Sequence, residues 1–307
     1  MRALYIALGS ALFLASIVVL ALGFSPSSNT KPVLTDDYRA PVIYCPVASQ
    51  QQVAYAPGCE IDYSNAASGY VMVKYTGCCE YAYVKVFRDD TESNFRILWS
   101  ENYTTLPLSG GSGLYVVSFY EPVVSVDANA YRKVLQTEFF VELDECLPYL
   151  YPNQMVWFTA ESAAIQFGGE LLDPAMTDLE VVEAVYRYTS DTMSVNYELE
   201  RQICCGAISE RLVLDVDEIY SDRSGVCLDY AVLMVALLRS QQIPTKLVIG
   251  YADSAWHSWV SVYIAEEGWV VYDPTYAAVK KFSNPLNTLY KHLTGDYGIN
   301  YEEVHVY

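Results

Sequence analysis

The sequence is poor in positive charge. Only 18 of its 307 residues are lysine or arginine, against 37 aspartates and glutamates, and the formal net charge is −19 at pH 7. Binding to nucleic acid or to anionic lipid depends on a basic surface that neutralises phosphate groups. We therefore expect no nucleic-acid partner, and the composition disfavours a peripheral attachment to acidic membranes.

Histidine is scarce, and the spacings typical of metal sites are missing. The chain has three histidines, so few side chains can act as a base near neutral pH. The pairs Cys78-Cys79 and Cys204-Cys205 lack the Cys-x-x-Cys spacing of a zinc knuckle. The acidic run at residues 215–218 is followed by neither the glycine nor the terminal glutamate of a calcium loop. We expect no metal and no other cofactor.

One long apolar run lies near the start of the chain. Residues 3–24 are uncharged and rich in leucine, alanine, isoleucine and valine, and Arg2 precedes them. The run fits a secretory signal peptide with small residues near a cleavage point, or an uncleaved anchor that spans the bilayer. Its length favours the anchor. We expect a protein of the cell membrane whose bulk lies outside the cytoplasm, or a secreted protein if the segment is cleaved.

The remaining chain changes character several times. After the signal or anchor at residues 1–24, residues 25–62 are rich in proline, serine and alanine and are interpreted as a stalk. Residues 63–146 show the alternation of β-strands and predict a β-sandwich-like domain. Helical spacing then dominates, and residues 147–280 are predicted to form a second, α+β domain. Residues 281–307 are assigned to a C-terminal tail.

Cys227 lies in a local sequence that suits a reactive thiol. Gly225 permits a tight turn, and apolar residues recur at helical spacing from Cys227 to about Ser240, before Pro244. Cys227 would stand in the first turn of this helix, where free N–H groups and the helix dipole favour a thiolate. The same N–H groups suit an oxyanion.

Three short strands are predicted after this helix, and they connect Cys227 to a histidine and an acid. The strands cover residues 246–251, 257–264 and 269–273. His257 begins the second strand and Asp273 ends the third, so antiparallel pairing would bring the two side chains together. The carboxylate could then bond one imidazole nitrogen while the other faces the thiol. Cys227, His257 and Asp273 are the candidate nucleophile, base and orienting acid.

At these residues the sequence resembles the transglutaminase-like superfamily, a papain-like group in which the nucleophile helix packs on an antiparallel sheet. The resemblance spans roughly residues 173–276 and keeps several separated motifs in family order. The motifs are Gly225-Val226-Cys227-x-Asp229-Tyr230-Ala231, Leu237-Leu238-Arg239, Ile243-Pro244-Thr245, Gly250-Tyr251, His257-x-Trp259 and Asp273-Pro274-Thr275. The resemblance implies a bacterial exported or membrane-anchored member, with a β-sandwich ahead of the catalytic domain.

Each of the three residues also has an ordinary structural explanation. Cys227 alone could be half of a disulfide or a small buried hydrophobe, because the eight cysteines of the chain fit an oxidising compartment. His257 alone could be a structural histidine, and Asp273 could cap a turn before Pro274. Their common spacing favours the catalytic interpretation. If Cys227 is free, an odd number of cysteines remains, and we expect disulfides among them.

Three further residues are candidates for the surroundings of the site. Tyr220, shortly before the nucleophile, is a candidate oxyanion donor, although a loop tyrosine is more often partly buried filler. Trp256 and Trp259 flank His257 and are predicted to line the groove or to fill the core. Direct chemistry is not expected of them.

Three functions from different classes follow. The favoured one is an exported cysteine hydrolase that acts on peptide or protein amides, with those of the cell envelope as candidate substrates. Hydrolysis is favoured because water is always available as the acceptor. The second is a protein-crosslinking transglutaminase, which requires a site that excludes water. The third is a non-catalytic surface module that binds peptide, which has no physical need of Cys227, His257 and Asp273 together.

Overall fold

The predicted membrane segment lies outside the part of the chain that the structure describes. The computed structural model describes residues 38–123, 130–208, 214–280 and 298–307. Within those ranges no helix is both long and apolar enough to cross a membrane.

The first half of the described chain is built from strands. They are β1 (Val53–Ala56), β2 (Cys59–Asp62), β3 (Tyr70–Tyr75), β4 (Tyr81–Arg88), β5 (Thr91–Leu98), β6 (Ser100–Pro107), β7 (Gly113–Pro122) and β8 (Tyr131–Val141). They form two four-stranded antiparallel sheets, in the orders β1-β2-β3-β6 and β5-β4-β7-β8. Buried and less buried residues alternate along β4, as expected where one face of a sheet covers a core. Side chains from both sheets share that core, which confirms the predicted β-rich architecture.

Part of the predicted stalk is folded. Strands β1 and β2 lie within residues 25–62, and the Val42 N–H donates to the carbonyl of Ser240 at 2.8 Å. The Arg39 guanidinium donates to the carbonyl of Met176 at 2.8 Å. The stalk interpretation is therefore wrong for these residues. The sequence did not indicate these strands, because the segment is rich in proline, serine and alanine and lacks a regular alternation of apolar residues. Backbone pairing with later residues holds the strands instead.

The second half carries the helices and a third sheet. The helices are α1 (Ala163–Leu171), α2 (Asp178–Thr192), α3 (Tyr197–Cys204), α4 (Val216–Asp222), α5 (Cys227–Arg239) and α6 (Pro274–Lys280). The strands are β9 (Ser194–Val195), β10 (Ser224–Gly225), β11 (Thr245–Ala252), β12 (Ala255–Ile264), β13 (Gly268–Tyr272) and β14 (Tyr301–Val306). The sheet order β13-β12-β11-β14 is antiparallel throughout, and β9 pairs with β10 in parallel. The predicted α+β class is confirmed.

Helix α5 is the centre of this half. Every residue from Asp229 to Arg239 is buried, and the helix packs against α2, β11 and β12. A helix that is buried all round has little freedom to shift, because interiors are close-packed. Its first residue is Cys227, so the position of the predicted nucleophile is set by the core.

The predicted C-terminal tail ends in a strand of this sheet. Strand β14 pairs with β11, with Ala252 opposite Tyr301 and Val248 opposite Val306. The N–H of Asp253 donates to the carbonyl of Asn300 at 2.8 Å, just before the strand begins. The last described residues therefore belong to the folded domain.

All eight cysteines fall within the described residues, and all are free thiols there. The sulfur atoms of Cys78 and Cys79 are 3.9 Å apart. The disulfides expected from composition are thus not formed in this structure. Cys227 in particular is partly exposed and unbridged.

Arg239, at the end of α5, ties three segments of chain together. Its side chain is fully buried, and its guanidinium donates to the carbonyls of Thr245, Tyr151 and Tyr307 at 2.8 to 2.9 Å. Burial lowers the pKa of Arg239 to about 9. Tyr151 precedes the helices, Thr245 begins β11 after α5, and Tyr307 directly follows β14.

We predict that Arg239→Met lowers the free energy of unfolding by about 3 kcal/mol, because three buried carbonyls lose their donor. Urea denaturation measures this change. The control is Arg187→Met, because Arg187 is 58% exposed and pairs with Glu183 one turn away on α2. That exposed pair is worth about 0.5 kcal/mol at most. Equal losses in the two variants would contradict the role given to Arg239.

Candidate active site

Cys227 begins helix α5, and its neighbours fix the helix start. The first backbone bonds of the helix run from Asp229 N–H and Tyr230 N–H to the carbonyl of Val226, at 2.9 and 3.3 Å. The buried carboxylate of Asp229 accepts the Val226 N–H at 2.8 Å. A side chain at Gly225 would collide with that carboxylate, which explains the glycine. The N–H of Cys227 itself precedes the first helical bond.

His257 and Asp273 meet where two neighbouring strands place them. His257 lies on β12, and Asp273 directly follows β13, which pairs with β12 with Tyr272 opposite Val260. The Nε2 atom of His257 is 2.8 Å from Oδ2 of Asp273. The Asp273 side chain is 1% exposed and that of His257 is 19% exposed. The predicted antiparallel pairing of these strands is confirmed.

The imidazole of His257 is also close enough to the Cys227 side chain for that side chain to help raise the pKa of the ring. Because Asp273 occupies Nε2, Nδ1 is the ring nitrogen that remains for the sulfur. The structure therefore brings together all three side chains that the sequence singled out. They form a chain of contacts from Cys227 through His257 to Asp273.

The proton on His257 is held strongly. Burial alone disfavours the charged ring, but the interactions with Asp273 and Cys227 outweigh it and raise the pKa of His257 to about 10. At neutral pH the ring is therefore an imidazolium. The buried carboxylate of Asp273 is the nearby negative charge that supports it.

The Asp273 carboxylate also accepts hydrogen bonds from Tyr276 and Tyr301, which the sequence did not indicate together. Its Oδ1 accepts the Tyr276 N–H at 2.8 Å, so the same side chain also caps helix α6. Its Oδ2 accepts the hydroxyl of Tyr301 at 2.8 Å. The predicted capping role of Asp273 and its contact with His257 therefore coexist. The alternation in Val304-His305-Val306 is the signal that could have indicated the strand carrying Tyr301.

The two tryptophans beside His257 do not form a groove together. Trp259 is fully buried, and its ring stacks on His257 with a centroid distance of 6.4 Å. It therefore belongs to the core and packs against one face of the imidazole. Trp256 is 54% exposed and contacts the rings of Tyr251 and His305. Successive strand residues point to opposite faces, so Trp256 faces away from His257. The structure does not support the groove-wall interpretation of either residue.

Tyr220 lies on α4, and its ring packs on Phe167 of α1 with a centroid distance of 5.2 Å. The guanidinium of Arg223 lies 6.0 Å from the centre of the same ring. These are packing contacts, and the oxyanion role of Tyr220 stays a prediction.

No group of three or more histidine, cysteine, aspartate or glutamate side chains suited to a metal ion occurs in the described ranges. The acidic residues 215–218 instead surround the start of α4. There Asp215 caps the helix by accepting the N–H groups of Asp217 and Glu218.

Comparison with known families points to the same segment. Residues 165–274 match the profile of the transglutaminase-like superfamily. That range contains α5, β11 to β13 and the three residues of the site. Over residues 165–274 the chain is thus similar to the transglutaminase-like superfamily, as the motifs predicted.

Two curated relatives share this domain. The uncharacterized protein YebA of Bacillus subtilis is 34% identical, over 22% of this chain and 11% of the relative. A protein-glutamine gamma-glutamyltransferase of Pseudomonas aeruginosa is also 34% identical, over 20% of this chain and 11% of the relative. The similarity thus spans about a ninth of the length of either relative.

Among solved structures, the periplasmic domain of TgpA from Pseudomonas aeruginosa is similar over 78% of this chain and 99% of that one. The sequence identity is 16% and the TM-score is 0.33. Because this score is low, the fold described here rests on the helices and strands of the chain itself.

We predict that His257 keeps its proton up to about pH 10 and that Asp273→Asn moves its pKa down toward the ordinary value of 6.5. The asparagine side chain lacks the charge that holds the proton. NMR titration of histidine-labelled protein measures both values, and a His257→Gln variant assigns the signal. Midpoints near 6.5 in both proteins would contradict the prediction.

The same shift predicts a pH dependence of stability. Because the pKa of His257 is higher in the folded than in the unfolded chain, the proton stabilises the fold fully below about pH 6.5. This contribution is lost as the pH rises toward about 10. Asp273→Asn should flatten that part of the curve of unfolding free energy against pH.

Proposed function

We propose that this protein is a cysteine-dependent acyl-transfer enzyme that acts on peptide or protein amides. Cys227 is the nucleophile, His257 is the acid and base, and Asp273 orients His257. The observation that carries the proposal is the chain of contacts from Cys227 through His257 to Asp273 at the start of a buried helix. A peptide-binding module would have no need of this arrangement.

In the resting site the proton already lies on His257. An imidazolium beside the sulfur and the positive end of helix α5 both favour the thiolate of Cys227. The sulfur attacks as a thiolate, and the imidazolium of His257 beside it supports that negative charge. The carboxylate of Asp273 stabilises the imidazolium and fixes its ring.

The reaction follows from this pair. The sulfur attacks the carbonyl carbon of an amide, the C–N bond breaks, and His257 gives its proton to the leaving amine. This leaves a thioester on Cys227 and a neutral imidazole. The imidazole then takes a proton from the acceptor, whose attack releases the acyl group and restores the thiolate with its imidazolium.

The start of helix α5 also suits the charge that develops on the carbonyl oxygen. The N–H of Cys227 precedes the first helical hydrogen bond, which runs to Val226. Free N–H groups at a helix start are donors for an oxyanion, and the helix dipole adds to them. Tyr220 remains a candidate for an additional donor.

The acceptor decides the kind of enzyme, and we take water as the first choice because hydrolysis needs no second binding site. Amine transfer is the second candidate, since one relative is named a protein-glutamine gamma-glutamyltransferase. Residues 3–24 further support action outside the cytoplasm, on amides of the cell envelope, by a chain attached to the membrane or secreted.

The test mixes the full chain with a glutamine-containing protein and a labelled primary amine. Fragments or released ammonia indicate hydrolysis, and incorporated label indicates crosslinking. We predict that Cys227→Ala lowers whichever signal appears by about a thousandfold or more, because the nucleophile is lost.

The matched control is Cys204→Ala, since Cys204 is an exposed thiol on α3. This variant should keep full activity. A signal that survives in Cys227→Ala, or that is lost equally in Cys204→Ala, would overturn the assignment of the nucleophile.

A further inference from the structure

The C-terminal strand β14 reaches into the site through one side chain. The hydroxyl of Tyr301 donates to Oδ2 of Asp273 at 2.8 Å, and the same oxygen is 2.8 Å from Nε2 of His257. Two donors from different strands thus meet on one carboxylate oxygen. The other oxygen, Oδ1, is held by the Tyr276 N–H.

The position of Tyr301 depends on a β-bulge. Along β14, His305 lies opposite Ile249, but Glu303 lies opposite the next residue, Gly250. The extra residue is Val304. Without it, Glu302 would lie opposite Ala252, and the side chain of Tyr301 would point to the other face of the sheet. The bulge therefore places Tyr301 on the face that carries His257.

A glycine allows the bulge to form. A Cβ atom at Gly250 would overlap the carbonyl oxygen of Glu302, so β14 approaches β11 closely only because Gly250 has no side chain. Before the strand begins, the N–H of Asn300 donates to Oδ1 of Asp253 at 3.0 Å. The start of β14 is therefore anchored directly beside Tyr301.

The ring of Tyr301 is fixed as well. It packs on Trp259 with a centroid distance of 4.9 Å, and Trp259 in turn stacks on His257. The hydroxyl is thus presented to Asp273 by a rigid stack of rings. If Tyr301 only filled space, a phenylalanine would serve as well, because packing on Trp259 does not require a hydroxyl at Oδ2 of Asp273.

We propose that Tyr301 is a positioning residue that holds the carboxylate of Asp273 in line with the imidazole of His257. With Oδ1 bound to the Tyr276 N–H and Oδ2 bound to the Tyr301 hydroxyl, the carboxylate has little freedom to rotate. The inference rests on the proposed function only in giving His257 and Asp273 their roles. The hydrogen bonds themselves do not depend on the substrate.

The test is Tyr301→Phe, which keeps the ring on Trp259 and removes only the hydroxyl. We expect the pKa of His257 to fall by about one unit, a tenfold change in proton binding, because the carboxylate turns away from Nε2. NMR titration measures the pKa. The rate of alkylation of Cys227 by iodoacetamide, followed against pH, should show its alkaline inflection at a lower pH in parallel, since the imidazolium beside the sulfur then loses its proton at a lower pH.

Tyr251→Phe is the matched control, because Tyr251 lies on the same sheet and contacts Trp256 on the face opposite His257. It should leave both readouts unchanged. Gly250→Ala, which displaces β14 through the backbone of Glu302, should reproduce the effects of Tyr301→Phe. A pKa of His257 that is unchanged or raised in Tyr301→Phe would overturn the proposal.

Neither readout uses an amide substrate. If the pKa of His257 falls in Tyr301→Phe while no amide is cleaved or transferred by the unaltered chain, the positioning role stands and the proposed function fails. If amides react and Tyr301→Phe changes neither readout, the proposed function stands and this inference fails.

Discussion

The site depends on the burial of one charge. The carboxylate of Asp273 is 1% exposed, and a charge so far from water is stable only if its oxygens find donors and an opposite charge. Those partners come from separate elements: His257 from β12, the Tyr276 N–H from α6, and the Tyr301 hydroxyl from β14. The need to satisfy one carboxylate therefore brings together strands and a helix that are far apart in sequence.

The parts of the site that the sequence predicts are those with strong local signals. The helix that begins at Cys227 was predicted from apolar spacing and a preceding glycine, and both signals act within one element. Strands β11 to β13 follow one another through short turns, so their pairing, and with it the meeting of His257 and Asp273, follows from chain order. In each case the residues that specify the structure are neighbours along the chain.

The parts that were missed depend on contacts between distant residues. Strand β14 contains two adjacent glutamates and lies after a long interval, so neither its pairing with β11 nor the bulge that turns Tyr301 toward Asp273 follows from local pattern. The folded part of the stalk was missed for the same reason. The orientation of Trp256, in contrast, could have been predicted from the sequence, because strand alternation alone places it on the face opposite His257.

The arrangement also separates two tasks within the site. Helix α5 is buried from Asp229 to Arg239, so the core, rather than the edge of the sheet, sets the position of Cys227 at its start. The proton on His257 depends instead on Asp273, whose partners include a side chain from an edge strand held by a bulge and by Asp253. Edge strands are the least constrained members of a sheet, because one side has no neighbouring strand. A change in β14 would therefore alter the basicity of His257 and the reactivity of the thiolate before it moved the nucleophile.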